Sequence, residues 1–566
     1  MNPALARLID GYFDYLWDAS PTTATAVGVH DRDDRLADFD PDAIAWRLEA
    51  LRSFRRDLDR ILESSPLLDE DEALDAKVFG NGIDVEARLL EEVRAPYRDP
   101  AVYLDEILYG IYHLVHREFA PLPERAVLAA SRLRQVPRLL RQAAANLSQP
   151  GEIPETWLVS ARKQLRGSLT FLADVDREVV PLAAAAGRDL AEAIREATQA
   201  LETFGRLLAG RLAGRAGGSF AIGRGLFDFL VRAHHGLDLD ADALHDFGSD
   251  LVARTQERLV SAARTVDPSR SWQELVAAWK QDHPARRDFL AGYRREVLRA
   301  RDFVKDRGVA SLPPGERLNV VETPPFQRSI SPFAAYLPPG PFEANQDGLF
   351  WVTPPEDEAT PQEQEAWLGE HLAAGIPLTV AHEAYPGHHL QLTVANQIRS
   401  KVRRVFTTPV LVEGWAFYCE QMMGEQGFLE DPRTRVLQLK DELWRACRVV
   451  IDVGIQTRGM AIEEAIGMLH EVARLEVPTA RGEALRYART ATQPLAYATG
   501  KHAILGLREE VRRLRGGSFS LREFHDRLLS LGSIPVSLIR ERLLGEAGVS
   551  GRSRSPGPGG GPATGR

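Results

Sequence analysis

Three histidines fall within eight residues, His382, His388 and His389, and Glu383 follows the first of them directly. Imidazole nitrogens and a carboxylate at such spacing suit a zinc ion, and an acid beside the ligands can serve as general base toward water on the metal. In the arrangement His-Glu-x-x-His, two histidines four apart share one helix face. Here the residue four after His382 is Pro386, and the next histidines stand six and seven later. On an unbroken helix the sixth points to another face and the seventh lies about 10 Å further along the axis. Neither could then share a metal with His382. Pro386-Gly387 offers a way out, because proline cannot donate to the carbonyl four residues back and glycine tolerates unusual dihedrals. A bulge or a restarted helix is expected there. Setting those two residues aside leaves His-Glu-Ala-Tyr-His, which favours His388 as second ligand, with His389 as the alternative.

A third ligand is sought downstream, where Glu413-Gly414-Trp415-Ala416-Phe417-Tyr418-Cys419-Glu420 begins 25 residues after His388. The string resembles the Glu-Gly-Phe-Ala-x-Tyr-x-Glu segment of aminopeptidase N-like zinc enzymes, in which the first Glu binds zinc. The spacing is also similar to that of helical oligopeptidases with a His-Glu-x-Gly-His motif, whose Gly-His pair matches Gly387-His388. Closer still is a bacterial family called domain of unknown function 885. It shows His-Glu-x-x-Pro-Gly-His-His-Leu-Gln, here His382 to Gln391, followed by Glu-Gly-Trp-Ala-x-Tyr. The resemblance extends to an early Pro-x-x-Ala-Thr-x-x-Gly pattern at Pro21 to Gly28, and to a late segment from Arg486-Tyr487 through Pro494-Leu495-Ala496-Tyr497-Ala498-Thr499-Gly500-Lys501. One departure stands out: the family often ends Asp-x-Gly-Ile-His where this chain has Asp452-Val453-Gly454-Ile455-Gln456. A role for histidine at that point does not carry over.

These resemblances imply a hydrolase of the gluzincin metallopeptidase type. Zn2+ would be held by His382, His388 and Glu413. Glu383 would be the general base, Tyr497 a donor to the oxyanion, and Arg486, Arg489 and Lys501 binders of a substrate carboxylate. Glu420, two turns past Glu413, reads as a supporting acid. Arg445, Arg448 and Asp452 read equally as a buried ion network or as substrate contacts. The expected substrate is a short peptide, with the amide of a non-peptide metabolite as an alternative. A non-catalytic metal-binding protein is the third reading, and Glu383 speaks against it because a structural site needs ligands but no base.

The elements that must position these residues are mostly helices, so the expected fold is mainly α. Apolar residues recur at three and four over 125–147, 155–180, 188–214, 241–265, 362–375, 430–474 and 501–514. Ser271-Trp272-Gln273-Glu274 and Ser520-Leu521-Arg522-Glu523 are capping boxes by pattern. Residues 312–356 break the helical pattern, with short β-prone runs at Leu318–Glu322, Phe333–Leu337 and Gly348–Thr353 that predict a small sheet just before the metal segment. The expected organisation is a helical region 1–311, a catalytic region 312–548 interlocked with it, and a Gly- and Pro-rich disordered tail 549–566.

Composition narrows the function classes. A net charge of −10 over 566 residues argues against binding nucleic acid by phosphate neutralisation. Apolar runs fall short of a membrane span. Two cysteines, Cys419 and Cys447, cannot build a disulfide framework, and the first residues lack a secretory pattern, so a cytoplasmic protein is expected. Oligomeric state is not legible.

Overall fold

The computed structural model describes residues 2–552 apart from 65–67, 325–327, 329–332 and 357–358. Helices dominate it. Four of them, α1 (Ala101–His116), α2 (Leu122–Asn146), α3 (Glu155–Asp174) and α4 (Gly187–Ala209), pack into a bundle. In α4 the residues Leu190, Ile194, Ala197, Leu201, Phe204 and Leu208 recur at three and four and are buried together. That single apolar stripe faces a core shared with Leu133, Val136 and Leu140 of α2.

A second, larger core collects side chains from both ends of the chain, among them Leu5, Tyr12, Phe79, Trp415 and Leu543. Between the two cores lies the expected sheet: β1 (Leu318–Glu322), β2 (Ala334–Leu337) and β3 (Gly348–Val352), in the order β1-β3-β2. β1 runs parallel to β3 and β2 antiparallel to it. Successive residues of a strand point to opposite faces, so β3 sends Phe350 and Val352 into the larger core and Trp351 into the bundle core. β2 is left as a sheet edge.

The elements that carry the candidate site residues follow α5 (Ala241–Val266): α6 (Ile376–Glu383), α7 (His388–Asn396), α8 (Pro409–Glu425), α9 (Pro432–Thr457), α10 (Val477–Tyr487) and α11 (Ala496–Arg515). Some helices are shorter than their apolar pattern suggested. The run 430–474 is two helices, α9 and Ile462–Glu471, because Gly459 takes a positive φ of 72° between them. The run 362–375 ends its helix at Leu368. Ser271 and Glu274 form the full reciprocal cap. Ser520 accepts from the Glu523 N–H, but the Glu523 carboxylate faces Arg515 at 3.7 Å. The last helix, Val536–Arg552, runs four residues into the segment read as a tail; residues 553–566 lie outside the described ones.

Two packing facts position the site. Every residue of α9 from Ala446 to Gln456 is buried, polar ones included. α8 and α11 run side by side in the same direction and touch through glycines. A Cβ on Gly414 would come within 2.4 Å of the Gly500 Cα, and one on Gly500 within 1.9 Å of the Val410 carbonyl oxygen. Further along, Lys501 Nζ lies 4.5 Å from the Phe417 ring centre and Arg508 donates to Glu425 at 2.8 Å. Gly500→Ala is expected to cost about 3 kcal/mol or more in urea unfolding, the upper end for overpacking. Gly467→Ala, where nothing stands within 4 Å of the new Cβ, should be neutral or stabilise by up to about 1 kcal/mol. Equal responses would sink this account of the crossing.

Candidate metal centre

The helix of the histidine motif breaks as Pro386 and Gly387 require. α6 stops at Glu383, the Tyr385–Pro386 peptide is cis, and α7 begins at His388. Gly387 folds back so tightly that a Cβ there would lie 1.8 Å from the His382 carbonyl oxygen. No other residue fits. The Trp415 indole N–H donates to the Pro386 carbonyl at 2.8 Å, so α8 clamps the break with one residue and brings Glu413 to it with another.

The break turns two imidazoles toward one point. The His382 and His388 rings stand 4.8 Å apart at 87°. His382 Nε2 is 3.7 Å and His388 Nε2 3.4 Å from Glu413 Oε2. Among the described residues these three form a group whose ligand atoms lie within 4.8 Å of one another. Tetrahedral zinc with bonds of ~2.0–2.2 Å needs ligand atoms about 3.4 Å apart, so the set fits after small adjustment. The tautomer fits as well: His382 Nδ1 lies 2.8 Å from Glu420 Oε1, which holds the ring proton there and frees Nε2 for a metal. His388 Nδ1 is buried without a partner among the described residues.

Charge is concentrated here. Burial works against a protonated His382, but hydrogen bonds to Glu413 and Glu420 outweigh it and hold its pKa up to about 10. Burial also works against an ionised Glu413, yet its hydrogen bonds with His382 and His388 keep it well below the usual carboxylate range. The Tyr497 hydroxyl is pushed up by burial and then by Glu413.

Glu383 ends α6 beside this group without joining it, and its Oε2 accepts the Tyr336 N–H of β2 at 2.9 Å. His389 turns elsewhere: its Nε2 is 2.8 Å from Glu316, its Nδ1 3.3 Å from the Tyr336 hydroxyl. Glu316 also accepts from Tyr385, and from Arg301 at 2.8 Å. The second of the paired histidines thus anchors the sheet edge, and the structure groups His388 with His382 and Glu413.

Of the three cations expected to meet a substrate, Arg489 reaches Asp99 at 2.6 Å and Asp105 at 2.5 Å, across to the N-terminal bundle. Lys501 is buried against Glu442 at 3.0 Å and lines a cavity of about 280 Å³ that none of the three ligands borders. Arg486 binds Gln493 and Glu483, both at 2.8 Å. Gln456 is spent on backbone groups of Ile222 and Tyr487. Sequence reasoning missed Glu316 and the Tyr336 N–H. Glu316 lies 73 residues from His389, and no motif marks either.

The family model described as bacterial protein of unknown function (DUF885) matches residues 21–543. The chain belongs to the DUF885 family. No curated protein matches it. Among solved structures, this DUF885 protein is similar to one from Shewanella oneidensis, described as a proposed lipoprotein of unknown function. The identity is 26% and the TM-score 0.79, covering 95% of this chain and 99% of that one. A second, described as a proposed lipoprotein from Colwellia psychrerythraea, shares the fold at a TM-score of 0.79 and 19% identity, covering 96% and 99%.

Three outcomes are expected for the centre. Metal analysis of the purified protein should find about one zinc per chain, lost in His382→Ala and Glu413→Ala. Glu420→Gln should weaken zinc affinity by ~10–100-fold, as losses of a supporting acid do. Because the metal-free protein keeps a proton on His382 up to about pH 10, zinc must displace it at lower pH. Apparent affinity should then rise about tenfold per pH unit between pH 6 and 9, with about one proton released in calorimetry. A pH-independent affinity over that range would refute the assignment of His382.

Proposed function

We propose that this DUF885 protein is a zinc-dependent hydrolase that cleaves amide bonds of short peptides. The reading rests on one observation: three zinc-type ligand atoms converge within 4.8 Å, with a non-ligand Glu383 held next to them by a strand-edge N–H. Two histidines, a more distant glutamate and a glutamate adjoining the first histidine are the parts that gluzincin-type metallopeptidases share, which the helical oligopeptidase and aminopeptidase N-like motifs resemble.

Zinc held by His382, His388 and Glu413 with one position open would bring the pKa of bound water toward ~7 and place positive charge opposite a carbonyl oxygen. The chain's own groups supply the rest. Glu383 takes the proton of the attacking water and returns it to the leaving nitrogen. The single N–H on its Oε2 orients the carboxylate and leaves lone pairs for that proton. The Tyr497 hydroxyl, whose pKa burial raises, stays protonated at neutral pH and can donate to the oxygen on which charge develops.

The sheet edge favours an extended peptide as substrate. The Thr353 N–H donates to Phe333 O at 2.8 Å, which fixes the register by which alternate β2 residues bond β3. Ala334 and Tyr336 therefore turn their backbone groups outward. Tyr336 gives its N–H to Glu383, and Ala334 offers a place for main-chain pairing.

In Glu383→Gln we expect zinc content to be unchanged and kcat/KM on a di- or tripeptide to fall by ~10²–10⁴, the range for loss of a general base. Complete inertness of the zinc-loaded wild type toward dipeptides, tripeptides and blocked peptides would exclude the peptidase reading; turnover of simple non-peptide amides by that same sample would redirect it.

A further inference from the structure

α9 is enclosed on all sides where it carries Arg448, so each of that guanidinium's N–H groups needs an acceptor. Its side chain is 5% exposed. Nε donates to the Tyr487 hydroxyl at 2.9 Å and Nη2 to Glu483 at 3.1 Å, but Nη1 is buried with no partner among the described residues. Arg445, one turn earlier, repeats the pattern. Its Nη1 stands 3.6 Å from Asp441, and its Nε is buried with no partner among the described residues. Glu483 already serves Arg486 as well, so one carboxylate answers two guanidiniums there.

Aromatic rings cover these side chains without using their N–H edges. The Arg448 guanidinium carbon lies 4.3 Å from the Trp444 ring centre and 4.7 Å from that of Tyr497. Arg445 lies 4.6 Å from Trp444, 5.7 Å from Phe417 and 5.8 Å from Tyr497. A guanidinium stacked on its faces presents donors along its rim, a shape that matches a carboxylate.

The same tyrosine also feels Glu413, whose charge raises the pKa of its hydroxyl after burial does. α8 and α11 run in the same direction with Gly414 against Gly500, so Tyr497, three residues before Gly500, is level with the turn that carries Glu413. Phe417, under Arg445, is one turn past Glu413, about 5–6 Å along the helix. One or two residues of extended peptide, at ~3.3–3.6 Å each, match that one-turn offset between Glu413 and Phe417.

We propose that Arg445 and Arg448 form a carboxylate subsite for the free C-terminus on the leaving side of the scissile bond, so that the protein removes one or two residues from peptide C-termini. The direction of the chain follows from the charge, since a subsite for a free amino terminus would need carboxylates in place of guanidiniums. This inference rests on the peptidase reading for its substrate, while the anion subsite itself can be tested without turnover.

The test compares trialanine, its C-terminal amide, and an amidated tripeptide ending in glutamate, all with zinc-loaded full-length protein. In parallel, calorimetry measures binding of the product alanylalanine and of its amide. The free acid should be cleaved at least 100-fold better than the plain amide, and the dipeptide acid should bind at least tenfold tighter than its amide. Arg445→Gln, at the less buried position, should reduce both preferences to within threefold, chiefly through KM; Arg448→Lys should weaken them while keeping part of the charge. If amidated peptides carrying glutamate are cleaved like free acids, the subsite reads an acidic side chain and the C-terminal assignment falls. Equal cleavage of acid and amide, or equal binding of the two dipeptides, overturns the subsite and leaves the peptidase standing. Acid-selective binding lost in Arg445→Gln, with no peptide cleaved, sustains the subsite and removes the peptidase.

Discussion

The geometry of the centre depends on the close approach of Gly387 to the carbonyl of His382. A Cβ would overlap that oxygen, so the chain can double back there only through glycine. This fold-back ends one helix at Glu383 and starts another at His388. Without it, two histidines six apart would look in different directions. The Trp415 indole then fixes the turn from α8, so Glu413, two residues before Trp415, is carried to the histidines by the same contact that stabilises their arrangement.

Paired and unpaired polar groups divide the interior. Glu316 gathers Arg301, Tyr385 and His389, and Arg489 joins Asp99 and Asp105; these networks are closed and hold elements in place. Arg445, Arg448 and His388 each carry a buried nitrogen with no partner among the described residues. Buried donors rarely go without acceptors, so a bound group would complete the pairing at these positions.

Much of this was legible in the residue order because it is local. The helix break follows from Pro386-Gly387, and the choice of His388 from the spacing left when those residues are set aside. The three strands were visible as β-prone runs between turns. What could not be read was long-range. The partner of His389 is 73 residues earlier and those of Arg489 nearly 400, and nothing in a local pattern says which cation will meet which acid. Arg486, Arg489 and Lys501 carry the right charge for a substrate, yet each is engaged within the protein. Helix ends were also hard to place, as at Gly459, because apolar periodicity continues through a break that one backbone angle decides.

The sheet has a consequence for how the molecule can be divided. β3 feeds alternate side chains to two hydrophobic cores, one of them shared by the first helix and the last. It is a party wall rather than a boundary. Cutting the chain near residue 311 would part Trp351 from the bundle core it packs into, and the larger core would lose the residues it draws from Leu5 to Ala310. A recombination or gene-fusion event at that point would separate no modules. The unit that keeps both cores filled therefore spans both sides of that cut, with the candidate metal group late in the chain and much of the scaffold beneath it contributed earlier.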